Sequence, residues 1–333
     1  MNDLDIICEI RKKVGQYFHV EIENEAVIGL RLTSDDFIFG GLIRHHSASE
    51  KEEILTLISQ LTSLQTLDLR RCMLFKTPDS MGDLVNLTHL DLGSNFLGQV
   101  PHWIEKINDL RYLNLAVNEL KELPTFLAQF INMQTLLAHK NEIRAFSTDF
   151  SGLKKLDYLN LYLNKISYIP DFVWEFQNLR TLTWGSSGVK SISPDISNLK
   201  YLEYLTLSGT KISEIPDSLG ALTNLKAIRL SKNRISKLPD TIGNLEKLEQ
   251  LTLYQNQLSN LPDTFSKLRN LEKLNIGWNK FETYPAFLKE LPKLRWLATF
   301  DNPEQIDTSI FEGKPTEILT LRPFSERKNE LKF

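Results

Sequence analysis

The sequence predicts an α/β solenoid: an arc with a concave parallel β-sheet, short helical or 3-10 turns on the convex side, and a helical N-terminal cap. Three observations predict it. Residues 245–267, LEKLEQLTLYQNQLSNLPDTFSK, place apolar side chains at positions 1, 4, 7, 9, 14 and 17: Leu245, Leu248, Leu251, Leu253, Leu258 and Leu261. The pattern reopens 23 residues later at Leu268, and units begin in one register at Leu61, Leu84, Ile107, Phe130, Leu153, Phe176, Leu199, Leu222, Leu245, Leu268 and Leu291. Leu251 and Leu253 alternate with Thr252 and Tyr254, as in a short strand with one buried face. One coil of this length cannot bury its own apolar face, so successive coils must stack.

The remaining positions of a coil have assignable roles. Asn256, at position 12, ends the strand and can satisfy backbone groups of its own and adjacent coils, which would be costly to bury unpaired. Pro262 fixes φ on the return path, and Phe265 fills the outer side of the core. The segment between, such as residues 239–244, is long enough only for one or two turns of helix or 3-10 structure.

In chain order, residues 2–14 read as a helix started by Asn2 or Asp3 and stopped near Gly15, with Leu4, Ile7, Cys8 and Val14 on one face. Its role is to cover the first coil; the alternative is a partner-binding helix. Residues 26–33 form the first strand, with Leu30 and Leu32 as its paired leucines. An insertion follows, and its main content is a helix over 49–60, with Ser49 and Glu52 as a capping box and Ile54, Leu57, Ile58 and Leu61 as the buried stripe. Before that helix lies a loop holding Gly40-Gly41 and His45-His46; no further ligand stands at metal spacing, so these histidines read as solvated. The domain plan is therefore 1–60 for the cap, first strand and inserted helix, 61–302 for the repeats, and 303–333 for a terminal coil and tail. In that last part Ile318, Leu319 and Leu321, between Pro315 and Pro323, make one more strand, and the polar end SERKNELKF is mobile.

Two coils depart from the pattern. The unit from Phe130 has Phe146 and Ser147 where neighbours have an aliphatic residue and Pro. The unit from Phe176 has Trp184 at the second strand leucine, Ser187 at the Asn position and Ser193 at the Pro position; the next unit has Thr210 at the Asn position. Tolerated drift explains these if the Ser and Thr hydroxyls still serve the turn; a kink or contact site is the alternative.

Composition limits the function. The chain has 333 residues and a net charge of −3, which argues against a general nucleic-acid binder. Its two cysteines, Cys8 and Cys72, exclude a disulfide framework and favour a reducing, cytoplasmic setting. No stretch approaches membrane-spanning length, and the N-terminal charge order is wrong for a secretory signal. No phosphate loop, HExxH, CxxC or GxSxG motif is present, and the carboxylates are expected at solvent positions. No enzyme activity, cofactor, metal or small-molecule substrate is implied.

The units NRISKLPDTIGNLEKLEQLTL and NELKELPTFLAQ resemble the 23-residue leucine-rich repeats of intracellular Ras-group proteins and their bacterial, archaeal and plant relatives. The resemblance spans residues 61–302, and weakly the strand near Leu30 and Leu32. It implies a non-enzymatic protein-binding scaffold. Several members of that group engage small GTPases or phosphatases through the concave sheet, so a small GTPase or other signalling protein is the partner implied. The alternative is a secreted or translocated bacterial-type effector. Some bacterial relatives carry a catalytic-cysteine ubiquitin-ligase domain after the repeats, whereas here both cysteines precede residue 73.

Function is expected at positions 6, 8, 10 and 11, which flank the inward leucines. The first coils are polar there (Thr66, Asp68, Arg70, Arg71, His89, Asp91). The middle coils offer Tyr112, Val117, Leu137, His139, Lys140, Tyr158, Tyr162, Leu163 and Tyr204. The later ones offer Arg229, Lys232, Tyr254, Lys273, Trp278, Trp296 and Phe300. Tyr112, Tyr158 and Tyr204 share position 6 in alternate coils. Exposed aromatics with scattered Arg and Lys suit an interface, although Tyr and Thr also favour strands for conformational reasons alone. His139 with Lys140, and Arg229 with Lys232, could form basic patches or simply be solvated.

Overall fold

The structure, a computed structural model, describes residues 1–15, 18–32 and 43–303 together with the backbone of a strand at Glu317–Leu319. It comprises two compact units, Met1–Lys165 and Ile166–Phe333.

The first unit opens with α1 (Asp3–Val14). Asn2 caps it in a reciprocal box with Asp5, acidic residues fill the first turn and basic ones the last, and Gly15 ends it at φ +89°. Its buried face is Ile6, Ile7 and Ile10, not the set expected from spacing; Leu4 and Cys8 are exposed and Val14 is only partly covered. The Asp3 carboxylate accepts the Val27 N–H at 2.8 Å, which ties the helix start to the sheet and so fixes which face turns inward.

An unforeseen hairpin follows. β1 (His19–Glu23) pairs antiparallel with β2 (Ala26–Arg31) through Asn24 and Glu25, both left-handed at φ 48° and 67°. It covers the edge that β2 would otherwise expose. The inserted helix α2 (Ala48–Ile58) is capped by Ser47 with Glu50, two residues earlier than expected, and buries Ile54, Leu55 and Ile58. Both Ser47/Glu50 and Ser49/Glu52 have box spacing. The earlier pair lengthens the helix by one residue at its start; beside the buried apolar face, a Lys13–Glu53 ion pair at 2.7 Å and a His46–Lys13 carbonyl contact at 3.0 Å link this segment to the end of α1. His46 is therefore not simply solvated. The expected loop at Gly40-Gly41 lies outside the described residues.

From β2 the sheet of this unit continues in parallel through β3 (Thr66–Asp68), β4 (His89–Asp91), β5 (Tyr112–Asn114), β6 (Thr135–Leu137) and β7 (Tyr158–Asn160). In the second unit β8 (Thr181–Thr183), β9 (Tyr204–Thr206), β10 (Ala227–Arg229), β11 (Gln250–Thr252), β12 (Lys273–Asn275), β13 (Trp296–Ala298) and β14 (Glu317–Leu319) also run in parallel. β14 contains the expected Ile318 and Leu319; Pro315, Leu321, Pro323 and the polar end lie outside the described residues.

Each coil follows the arithmetic of its sequence. Leu245, Leu248, Leu251, Leu253, Leu258, Leu261 and Phe265 are all buried, each contributing roughly 1.5–3 kcal/mol of transfer free energy. Pro262, at φ −66°, precedes a 3-10 turn at Asp263–Lys267. Such turns recur on this side in most coils of both units. The coil from Phe130, which lacks the proline, has none among the described residues; Ser147 instead donates to the Leu123 carbonyl at 3.4 Å. In the coil from Phe176, Ser193 takes over as the cap by accepting the Asp195 N–H, with Pro194 one step later.

Position 12 carries a ladder of buried asparagines. Asn256 donates to the carbonyls of Leu230 and Leu253, both at 2.9 Å, and accepts the Ile235 N–H at 3.0 Å, so one side chain joins two coils. Asn95, Asn118, Asn141 and Asn164 in the first unit, and Asn233, Asn279 and Asn302 in the second, bond in the same way. Thr210 holds its place by donating to the Leu207 carbonyl at 3.2 Å. Ser187 does not: its hydroxyl oxygen is buried with no hydrogen-bond partner, contrary to the expectation that a serine there would still serve the turn. Cys72 opens the ladder as a buried thiol, whose pKa burial pushes up to about 12.

Candidate functional site

Position 11, just before the ladder, has a fixed backbone demand. Arg71, Ser94, Val117, Lys140, Leu163, Ser186, Gly209, Lys232, Gln255, Trp278 and Asp301 all lie at positive φ, between 50° and 71°. Only one is glycine. A left-handed conformation costs an ordinary L-residue ~1–2 kcal/mol and is least suited to a β-branched one such as Val117. Position 8 also has a backbone duty that sequence reading missed. Asp68, Asp91, Asn114, Asn160 and Asn275 each accept the N–H two residues on, at 2.9–3.1 Å. The strand-face positions left to side-chain choice are therefore mainly 6, 10 and 11.

On the first coils this face is polar and internally bonded. Asp68 and Asp91, expected at solvent positions, are buried, each 7% exposed. Arg70 grips Asp68 through Nη2 at 2.7 Å and Nε at 3.0 Å, and its Nε lies 3.3 Å from Asp91. Arg31 approaches Asp68 at 3.5 Å. Asp91 further accepts the Gly93 N–H at 2.9 Å and the Tyr112 hydroxyl at 3.5 Å. A Cβ at Gly93 would stand 2.8 Å from the Asn114 amide nitrogen, so glycine there lets the neighbouring coil close over Asp91. Burial raises the Asp91 pKa to about 6, outweighing the Gly93 N–H and Asn114 bonds that lower it. Burial and the Asp91 charge together raise Tyr112 to about 12. Asp68 with Arg70 in consecutive face positions, repeated by Asp91 one coil on, was the signal available in the sequence.

Farther along the first unit the face becomes apolar. Tyr112 and Tyr158 stand on either side of Thr135 in register, and Leu137 lies between Asn114 and Asn160. Tyr112, Leu137, Tyr158 and Tyr162 are half-buried; Val117, Lys140 and Leu163 are exposed. His139 is half-buried, its Nδ1 buried without a partner, and burial, with Lys140 adding to it, lowers its pKa, which favours the neutral imidazole.

In the second unit Tyr204, Arg229 and Lys232 are exposed. Tyr204 sits opposite Thr181 and Ala227. Tyr254, Trp278 and Phe300 converge: the Tyr254 ring centroid lies 6.0 Å from Trp278 and 5.7 Å from Phe300. Trp296 is partly buried, opposite Lys273 on β12. Among the described residues no group of three or more His, Cys, Asp and Glu side chains could hold a metal ion, and no helix is long and apolar enough to cross a membrane.

Two family models match the chain, one described as a leucine-rich repeat region over residues 159–310 and one as leucine rich repeat over residues 62–120. The chain is a leucine-rich-repeat protein. A search of curated proteins gives no match. Among solved structures, this leucine-rich-repeat chain is similar to one from Leptospira interrogans, at 27% identity and a TM-score of 0.67, over 79% of this chain and 74% of that one. It is similar to an internalin of Listeria monocytogenes at 20% identity and a TM-score of 0.74, over 94% and 87% of the two chains. A third is the ectodomain of the plant receptor kinase GASSHO1/SCHENGEN3 of Arabidopsis thaliana in complex with Casparian strip integrity factor 2, at 24% identity and a TM-score of 0.67, over 79% of this chain and 36% of that one. The last two likenesses concern the fold alone. Leucine-rich-repeat proteins generally act by binding other proteins and are typically non-enzymatic.

Proposed function

We propose that this chain is a non-enzymatic scaffold that binds a protein partner on its strand face. The observation that carries this reading is the occupancy of position 11. Val117, Leu163 and Trp278 are large, apolar and exposed at a backbone conformation that disfavours them, and the neighbouring coils fill the same place with Ser, Lys, Gln or Asp. Exposed apolar groups that the fold does not require mark interaction surfaces, and Trp278 with the tyrosines of the strand face supplies the residue types that dominate binding energy. The binding residues are Tyr112, Leu137, His139, Lys140, Tyr158, Tyr162 and Leu163 on the first unit, and Tyr204, Arg229, Lys232, Tyr254, Trp278, Trp296 and Phe300 on the second. The test is Tyr158→Ala with Tyr162→Ala. The double variant should lose partner capture while still folding cooperatively, with a thermal midpoint lower by a few degrees because both rings are half-buried; undiminished capture would remove the site.

By resemblance the partner is a small GTPase or another signalling protein, and the free thiols Cys8 and Cys72 suit a cytoplasmic setting. A second reading, carried over from the resemblance to bacterial leucine-rich-repeat proteins, is a secreted or translocated effector. Recovery of the protein from culture medium rather than cells would select that reading.

A further inference from the structure

Three coils of the second unit build a corner that the repeat does not call for. Tyr254 and Phe300 both occupy position 10, two coils apart, and the coil between them has Gly277 there. A Cβ at Gly277 would stand 3.2 Å from two carbons of the Phe300 ring and 3.0 Å from its carbonyl oxygen. Phe300 therefore leans over the bare glycine until its ring meets Tyr254, with an interplanar angle of 44°. Trp278, next in sequence to Gly277, lies against Tyr254 at 43° and is 41% exposed. Its indole N–H donates to the Asp301 carboxylate, from the same position of the next coil. That bond fixes the ring plane and holds a negative charge at its edge. Burial raises the Tyr254 pKa, and the Asp301 charge adds to it.

Aromatic faces attract cations through the ring quadrupole, with Trp the strongest. A carboxylate at the rim adds charge complementarity, and an arginine guanidinium can use both, stacking on the ring while hydrogen-bonding the acid. Packing alone accounts for Tyr254 and Phe300 filling the space above Gly277. It does not account for an exposed tryptophan at φ 51° whose only polar group is bonded to an acid. We infer that the Tyr254–Trp278–Phe300 corner, with Asp301, receives an arginine side chain of an extended segment of the partner. This rests on the strand face being the protein-binding surface and specifies the chemistry of one of its subsites.

The experiment uses the full chain, isotopically labelled, and follows the Trp278 indole N–H resonance, assigned by its absence in Trp278→Phe. The probes are acetyl-Ala-Arg-Ala-amide and the neutral isostere with citrulline in place of arginine, added at equal concentration. The arginine probe should move the resonance roughly three- to fivefold more than the citrulline probe, the ratio of an exposed cation–π contact. Asp301→Asn retains an acceptor for the indole while removing the charge, and should bring the two probes closer together. Equal responses to both probes, or no response to arginine, overturn the inference. The wider reading stands or falls separately: if the corner fails while the Tyr158/Tyr162 variant still loses capture, only this subsite is wrong.

Discussion

The asparagine turn and the strand face are a few residues apart in every coil, yet they obey different rules. At position 12 an asparagine serves two carbonyls and an N–H drawn from two coils, because it is the small residue with donors and acceptor in one plane. Where the residue changes to Ser187, a buried hydroxyl is left without a partner. On the strand face the backbone bonds are complete whatever side chain is present, apart from the capping role of Asp or Asn at position 8. The face therefore varies from the self-bonded cluster of Asp68, Arg70, Asp91 and Tyr112 to the open rings of Tyr254 and Trp278. Change in the turn is read out as stability; change on the face is read out as recognition.

The largest effect is expected in the ladder. Asn118→Ala removes bonds to the Leu92 and Leu115 carbonyls and from the Leu97 N–H, all buried. The loss should be on the order of 3 kcal/mol in urea unfolding, since each stranded buried group costs about 1–3. An effect below ~1 kcal/mol would show that the ladder merely decorates the core.

Asp91 is the place where the face behaves like the interior, and its signature is pH dependence. Its folded pKa, about 6, lies above its ordinary value of 3.8. Its stabilising contribution is therefore fully present below that ordinary value and is lost as pH rises through 6. Wild type should lose stability relative to Asp91→Asn between pH 4 and 7 by on the order of 2–3 kcal/mol. A flat difference across that range would mean Asp91 stays ionised throughout.

Ser187→Asn should act in the opposite direction. It offers the ladder's donor and acceptor to the Trp184 carbonyl and the Ile166 N–H, the positions that correspond to the partners of Asn256. A gain of about 1 kcal/mol is expected in the same unfolding assay. Destabilisation would show that the neighbourhood of Trp184 has repacked around the smaller residue. The smallest change in stability belongs to Trp278→Ala, a loss of about 0.5–1 kcal/mol by thermal unfolding, because a partly exposed side chain gives up its ring contact with Tyr254 and its bond to Asp301. Its effect should instead appear as weakened partner capture.

Much of this architecture is legible in the sequence because the period is unbroken from Leu61 to Leu291, and a repeated local rule leaves little for distant contacts to decide. The buried leucines, the asparagine ladder and the 3-10 turns after proline all follow from spacing. The N-terminal cap was harder to read. The inward face of α1 depends on Asp3 reaching Val27, and the start of α2 on a choice between two equivalent capping boxes. The β1–β2 hairpin was signalled only by Val20 and Ile22 alternating with charges before Asn24, in a strand that is mostly exposed and so leaves no apolar face. On the face, the exposed aromatics could be placed from position alone. The burial of Asp68 and Asp91 could not, because it arises from Arg70, Tyr112 and Asn114 closing across coils. The approach of Phe300 to Tyr254 was equally hidden, since it depends on what Gly277 lacks.

The central claim is that the partner sits on the strand face. Tyr201 and Tyr204 offer the most direct test: they lie three residues apart in one coil, with exposures of 55% and 40%, at different positions of the repeat. A photoreactive phenylalanine should be placed at each in turn and irradiated with the partner bound. Adducts from position 204 and none from position 201 are the predicted result; adducts from 201 alone, or equally from both, would contradict the account.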